Sequence, residues 1–235
     1  MKAINSHVHA LTPLTSHVYK VLLKPEQAID FMPGQYLNFV MGDEDKRPFS
    51  IASAPGAEFI ELQIGAFGAD SYPMQVIERV KSAIESSETV QIEMPLGNAQ
   101  LRDDSERPLL LLAGGTGFSY IKSMFEYLAN QASTRQVIVY WGLREPAACY
   151  ELEETAAVIA KLPNATFVPV VENPDEQWQG KVGLVHQVAM QDVTNLADYD
   201  IYLAGRFEMV GLVRTDFVAK GALLDHMFAD AFAYI

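Results

Sequence analysis

Leu109 to Ala113 reads LLLLA, five apolar residues with no polar alternate, and it runs directly into Gly114-Gly115-Thr116-Gly117. A strand this uniformly apolar must be covered on both faces, the situation of a parallel sheet clad in helices. The following segments meet that demand. A helical pattern spans Phe118 to Asn130. Then come the strand QVIVYWG, a helix around Tyr150 to Leu162, the strand TFVPVVE, a short helix near Leu184 to Met190, the strand DIYLAG and a helix from Glu208 to Lys220. Strands alternating with helices predict an α/β domain over residues 108–235.

The first hundred residues follow a different pattern. HVHAL, HVYKVLLKP, QYLNFVM, PFSIAS, FIELQIG and TVQIEMP are short, β-prone and separated by turn residues. One helical pattern, about Tyr72 to Ile84, interrupts them. Six such strands close most economically as a small antiparallel β-barrel over residues 1–100. The charged, proline-terminated stretch LRDDSERP predicts a linker at 101–107.

Charge and cysteine content narrow the function. The formal net charge is −13, which argues against general binding of nucleic-acid backbones or anionic membranes. Small anionic ligands stay open to a few local arginines. The single cysteine, Cys149, makes no intramolecular disulfide and cannot ligate an iron–sulfur cluster. The opening MKAINSHVHALTPL lacks the apolar core of a signal peptide, and no stretch reaches the roughly 20 apolar residues of a membrane span. A soluble cytoplasmic protein without metal is the expectation.

In a parallel sheet, ligands bind outside the carboxyl ends of the strands. Glycines mark three of those ends: Gly114, Gly115 and Gly117 around Thr116, then Gly142, then Gly205. Glycine allows a sharp turn and a close ligand approach. The first cluster also opens a helix, whose free N–H groups attract phosphate. GGTG alone is equally a set of turn glycines, since the full G-x-G-x-x-G pattern is missing. Three marked ends in one domain favour a Rossmann-like dinucleotide site. The acid that usually hooks an NAD ribose is absent, with Trp141 and Arg144 in YWGLRE; Arg144 meets a phosphate or is an ordinary surface charge.

A barrel beside a nucleotide domain leaves a cleft, and KRPFSIAS fits its rim. Arg47 offers a charged fork for an anion or carbonyl edge, Pro48 and Phe49 a flat apolar surface, and Ser50 a hydroxyl. A planar redox ring with polar edges needs that mixture. Arg-Pro-Phe-Ser, Gly65 closing FIELQIG, AGGTGFSY and AGRFEM, in that order and spacing, resemble the ferredoxin–NADP reductase superfamily over the whole chain. DKRPFSIAS, LRDD, GGTGFSYIKS, YWG, PVVE, DIYLAGRFEM and ADAFAYI resemble its enterobacterial-type NAD(P)H:flavin reductases, near relatives of the flavin reductases of luminous bacteria.

The resemblance implies that hydride passes from NADH or NADPH to free riboflavin, FMN or FAD, with both nucleotides as substrates. It implies that Arg47, Pro48, Phe49 and Ser50 line the flavin, Ser50 lying near N5. Tyr36, Gln63, Ile64, Gly65 and Phe232 contact the ring or its chain, with Tyr234 near the same face. Gly114 to Gly117 face the dinucleotide, Gly142 and Arg144 adjoin it, and Gly205, Arg206, Phe207 and Met209 flank it. A flavin-dependent monooxygenase or a ferric complex would consume the reduced flavin. The alternative is an electron-transfer subunit that retains its flavin and serves a partner protein.

Several departures bear on that reading. Ala204-Gly205 stands where the superfamily often has Cys-Gly, so no thiol chemistry is implied. AFGADSYP follows Gly65 in place of a Ser/Thr anion cradle, and the barrel shows no long loop for an adenylate. Flavin is therefore expected to come and go. His7 and His9 share a strand face but lack a third metal ligand. His17, His186 and His226 read as surface or structural groups, Asp103-Asp104 as a solvated pair and MFEYL as core. Asp230 either orients water or the nicotinamide amide, or makes a structural hydrogen bond.

Overall fold

The computed structural model describes residues 3–235. Six strands form the first sheet: β1 (Ile4–Pro13), β2 (Val18–Pro25), β3 (Tyr36–Val40), β4 (Lys46–Ser50), β5 (Ile60–Gly65) and β6 (Thr89–Leu96). Their order is β4-β3-β6-β1-β2-β5, antiparallel throughout. The two edge strands close on each other just past the end of β4. There Ala52 N donates to Glu61 O at 2.8 Å, and Glu61 N donates to Ser53 Oγ at 3.0 Å. PFSIAS is thus a strand only as far as Ser50. Ile51 N still donates to Gln35 O at 3.1 Å, and from Ala52 the backbone turns to β5 to make this seal.

Helix α1 (Tyr72–Ser86) stops the barrel's end. Ser71 caps it by accepting from Met74 N, Pro73 suits its first turn, and Ser87 ends it at φ 57. Val76, Ile77, Val80 and Ala83 recur at helical spacing and face the barrel core of Val21, Leu37, Phe39, Leu62 and Ile92.

The second sheet holds β7 (Leu109–Gly114), β8 (Val137–Leu143), β9 (Ala165–Val171), β10 (Lys181–Val182), β11 (Asp200–Ala204) and β12 (Met227–Phe228). It is wholly parallel in the order β10-β9-β8-β7-β11-β12. Leu109 to Ala113 are fully buried, as their uninterrupted apolarity requires. Each such leucine contributes about 1.5–3 kcal/mol of burial. Helices α2 (Phe118–Asn130) and α3 (Leu152–Ile159) cover one face, and α4 (Val185–Asp192) and α5 (Phe207–Ala219) the other. The two-residue strands β10 and β12 are too short to show a period in sequence. The chain runs outward from β7 to β10, then crosses back to β11. The direction therefore reverses between β7 and β11, where open α/β sheets bind ligands.

Residues 101–107 are pinned rather than loose. Arg102 N donates to Tyr202 Oη at 2.8 Å, and Tyr127 Oη donates to Asp103 Oδ2 at 2.8 Å. Buried Asp200 meets Arg107 at 3.1 Å, Arg135 at 2.7 Å and His226 at 2.8 Å. Helix α2 is the strut between the sheets, with every residue from Phe118 to Phe125 buried. Phe118, Ile121 and Phe125 join the α/β core, while Tyr120 Oη donates to Ala99 O and Ser123 Oγ to Ser53 O at 2.9 Å.

Candidate active site

The β3–β4 pair sorts its residues by strand alternation. Tyr36 lies opposite Ser50, Asn38 opposite Pro48 and Phe39 opposite Arg47. Leu37, Phe39 and Arg47 are buried, whereas Tyr36, Asn38, Pro48 and Ser50 keep solvent access on the other face. Ser50 is half-buried, and its Oγ takes part in none of the hydrogen bonds among the described residues. Pro48 sits exposed on an edge strand, where a missing N–H breaks no central ladder. Phe49 is half-buried and packs on the barrel core.

Arg47 departs from expectation. Its guanidinium donates to Asp45 at 2.8 and 2.6 Å, to Tyr72 O at 2.7 Å and to Gln75 Oε1 at 2.8 Å, and it stacks 4.5 Å from the Tyr72 ring. Its hydrogen bond with Asp45 holds that carboxyl below the usual range. The fork offered to an anion is occupied by the protein itself, tying β4 to the start of α1.

On β5, the Gln63 and Ile64 side chains also turn from the cleft. Ile64 is fully buried in the barrel core. Gln63 is buried and donates to Glu61 at 2.9 Å and to Glu151 at 2.8 Å. Gly65 is one of the places where the halves touch: a Cβ there would lie 3.0 Å from Thr116 Cγ2. Exposed Phe67 lies alongside, against His17 at 5.1 Å.

The C-terminal segment folds against the same strand pair. Gly97, at φ +93, leaves room for Tyr36 and Asp230; a Cβ there would meet Tyr36 Cδ1 at 2.9 Å and Asp230 Oδ1 at 3.0 Å. Burial raises the Asp230 carboxyl to about 6, against a smaller opposing pull from its backbone hydrogen bond with Ala99. Burial, then the neighbouring Tyr234 and Asp230, raises the Tyr36 phenol. Phe232 packs on the α/β core with Arg214 over its ring at 5.3 Å, while Tyr234 stacks on Phe207 at 5.6 Å. Of the two C-terminal aromatics, Tyr234 is the one close to Tyr36.

The glycines at the strand ends divide by cause. A Cβ at Gly117 would fall 2.7 Å from the Ala204 and Gly205 backbone. One at Gly114 would fall 2.4 Å from Met209 Sδ, one at Gly205 2.8 Å from the same sulfur, and one at Gly142 2.6 Å from Val185 Cβ. These four satisfy internal packing, and Met209 fills the space between the β7 and β11 ends. Gly115 alone combines φ +55 with open space. Its carbonyl accepts from Trp141 Nε1 at 2.9 Å, and Trp141 is buried and stacked on Phe118 at 4.0 Å. The tryptophan standing at the ribose-acid position therefore anchors the glycine turn.

Above that turn, α2 starts with no side-chain cap and no acid in its first turn; Phe118 N already donates to Gly115 O, and the helix dipole favours an anion at this end. Helix α5 instead carries Glu208 in its first turn. Arg144 and Arg206, exposed after β8 and β11, form no ion pair among the described residues. Those strands flank β7, so both cations lie at the carboxyl edge beside Gly115. Sequence reasoning missed Ser119, the second residue of α2, whose buried Oγ has no hydrogen-bond partner among the described residues. A small hydroxyl directly after GGTGF was the available signal.

Comparisons with known proteins bear on the family and the fold. Residues 111–215 match the family model described as oxidoreductase NAD-binding domain. The chain is 45% identical over 235 residues to an NAD(P)H-flavin reductase of Vibrio harveyi, covering 99% of each. It is 44% identical to an NAD(P)H-flavin reductase of Aliivibrio fischeri, again over 99% of each. Among solved structures, the flavohem-like FAD/NAD-binding domain of a Vibrio cholerae nitric oxide dioxygenase aligns with a TM-score of 0.79 at 19% identity, over 96% of each chain. The ferredoxin reductase of carbazole 1,9a-dioxygenase aligns at 0.83 and 24% identity, over 98% of this chain and 69% of that one. At those identities the structural matches speak for the fold.

Proposed function

The chain belongs to the NAD(P)H-flavin reductases, and from that premise we propose that it passes hydride from NADH or NADPH to a flavin that binds as a substrate at the β3–β4 face. The observation carrying this reading is the Gly65–Thr116 contact, which sets the end of a barrel strand against the glycine turn of the nucleotide half. The two bound rings supply the redox chemistry, and the protein's part is positioning.

The residues present suit both ligands. Tyr36 and Pro48 give apolar walls, and Ser50 Oγ, unpaired among the described residues, is free to donate to the flavin edge near N5. A donor there steadies negative charge as it develops on the ring. Gly115 admits close approach, and the uncapped start of α2 meets the pyrophosphate. Arg144 and Arg206 add charge at the same edge, in a protein of net charge −13. Arg47 acts from behind, holding the strand that carries Pro48 and Ser50.

Exposed Phe67 follows Gly65 where a hydroxyl cradle would grip a flavin phosphate, so the tail adds little affinity and flavin exchanges freely. Riboflavin is then a competent acceptor with micromolar affinity, about −8 kcal/mol. Reduced flavin leaves for a flavin-dependent monooxygenase or a ferric complex, and a cytoplasmic setting is part of the same proposal. Among the described residues no helix is long and apolar enough to cross a membrane. Steady-state oxidation of NADH and of NADPH with riboflavin, FMN and FAD tests the reading. Stoichiometric flavin that survives dialysis would overturn the substrate role and favour a flavin-retaining subunit.

A further inference from the structure

Behind the cleft, charged and polar side chains from both halves converge in a buried cluster. Lys122 of α2, 8% exposed, donates to Glu61 Oε1 and Oε2 at 3.2 and 3.1 Å and to Glu126 at 2.8 Å. Gln63 donates to Glu61 and Glu151. Lys20 of β2 pairs with Glu151, which adopts φ 54 immediately before α3. Three buried polar atoms close to these groups, Gln63 Oε1, Tyr150 Oη and Thr155 Oγ1, have no hydrogen-bond partner among the described residues. A cavity of about 150 Å³ opens beside Lys20, Lys122, Glu126, Glu151 and Thr155.

The two sides of this cluster sit on the elements that carry the two sides of the cleft. Glu61 and Gln63 precede Gly65 on β5; Lys122 lies on α2, which the turn carrying Thr116 leads into. We propose that Lys122, Glu61, Gln63 and Glu151 form an electrostatic clasp between the barrel and α2–α3, and that Lys122 and Gln63 are positioning residues for hydride transfer. This inference rests on the reductase reading. Buried ion pairs add little net stability against apolar packing of the same shape, but their directional contacts oppose sliding of one surface over another. The clasp thereby sets the Gly65–Thr116 spacing, to which the reacting rings are sensitive, since displacement near 1 Å costs about a hundredfold in rate.

The test uses Lys122→Met, and Gln63→Met as a milder second variant that removes only the amide and keeps every charge. Riboflavin Kd, NADP⁺ Kd, melting temperature, kcat and the long-wavelength charge-transfer absorbance of nicotinamide stacked on flavin are measured on each preparation. The expected result is a kcat at least about tenfold lower per folded molecule, weaker charge-transfer absorbance and both Kd values within about twofold of wild type. Lys122→Arg should recover most of the loss. Gln63→Met carries the test if Lys122→Met does not fold. Wild-type kcat and undiminished absorbance in the folded variants would overturn the clasp. Wild-type turnover is measured first: failure there with every flavin overturns the reductase reading, and the clasp falls with it.

Discussion

The barrel and the parallel sheet build their shares of the site by opposite means. In the barrel, functional groups are side chains, chosen by which way a strand residue points. Arg47 and Ser50 are neighbours in one motif, yet one is buried against α1 and the other keeps a hydroxyl unpaired among the described residues on the open face. In the parallel sheet the groups are mostly backbone, and the side chains around the turn work below it. Met209 and Val185 fill the space left by Gly114, Gly205 and Gly142, while Trp141 holds Gly115. A motif in a strand therefore has to be read every second residue, and a motif in a turn has to be read for what packs beneath it.

The contrast is broken most severely at Gly117. A Cβ in Gly117→Ala meets the Ala204–Gly205 backbone at 2.7 Å, with no flexible atom to yield. Loss of about 3 kcal/mol or more of stability is expected, read as a lower urea midpoint. Gly115→Ala has open space and faces only the left-handed backbone cost, about 1–2 kcal/mol, together with a higher NAD(P)H KM. Equal midpoints for the two variants would erase the distinction between packing and access.

Within the barrel, Arg47→Leu and Ser50→Ala separate the two directions of one strand. Arg47→Leu strands the Gln75 and Tyr72 acceptors and should cost about 2–3 kcal/mol of stability. Ser50→Ala should keep near-native melting and lower kcat about ten- to a hundredfold, the loss of one donor at about 1–3 kcal/mol in the transition state. Wild-type turnover in Ser50→Ala would remove its catalytic assignment.

Asp230 joins the two regions and gives a pH signature. Its folded carboxyl titrates near 6, above the ordinary 3.8, so the folded state holds the proton more tightly. Its contribution favours folding at low pH, falls as pH rises from about 4 to 6, and stays unfavourable above 6. Asp230→Asn should therefore melt about 2–4 °C higher at pH 8 and show a flatter profile between pH 4 and 6. A variant that follows the wild-type profile would reassign the pH dependence. The smallest effects belong to Arg144→Ala and Arg206→Ala. Each should raise NAD(P)H KM a few-fold, about 0.5–1 kcal/mol, more at low salt, with flavin KM unchanged.

Local patterns in the sequence were enough to outline the architecture. The limits of α2, the parallel run at Leu109 to Ala113 and the six barrel strands follow from period, apolar continuity and turn residues within a short window. The internal partners of Arg47, Gln63 and Gly117, which the sequence did not disclose, share another cause. Arg47 finds Tyr72 and Gln75 in a helix well down the chain, Gln63 finds Glu151 in the other half, and Gly117 is constrained by the backbone after β11. No periodicity encodes such pairings. The resemblance alone sets Phe232 at the flavin, and its packing under Arg214 depends on how the last turn folds back onto α5.

The hydrogen bond from Trp141 to the Gly115 carbonyl also gives the protein an optical handle. There are two tryptophans, and Trp178 bonds to Lys181 O at the far edge of the sheet, beside β10. With Trp178→Phe, all indole emission arises from a ring attached to the Gly115 turn. Its wavelength and lifetime then register the electric field and solvation at that turn directly, and the proposed binding of nicotinamide nucleotide there becomes readable without any added dye.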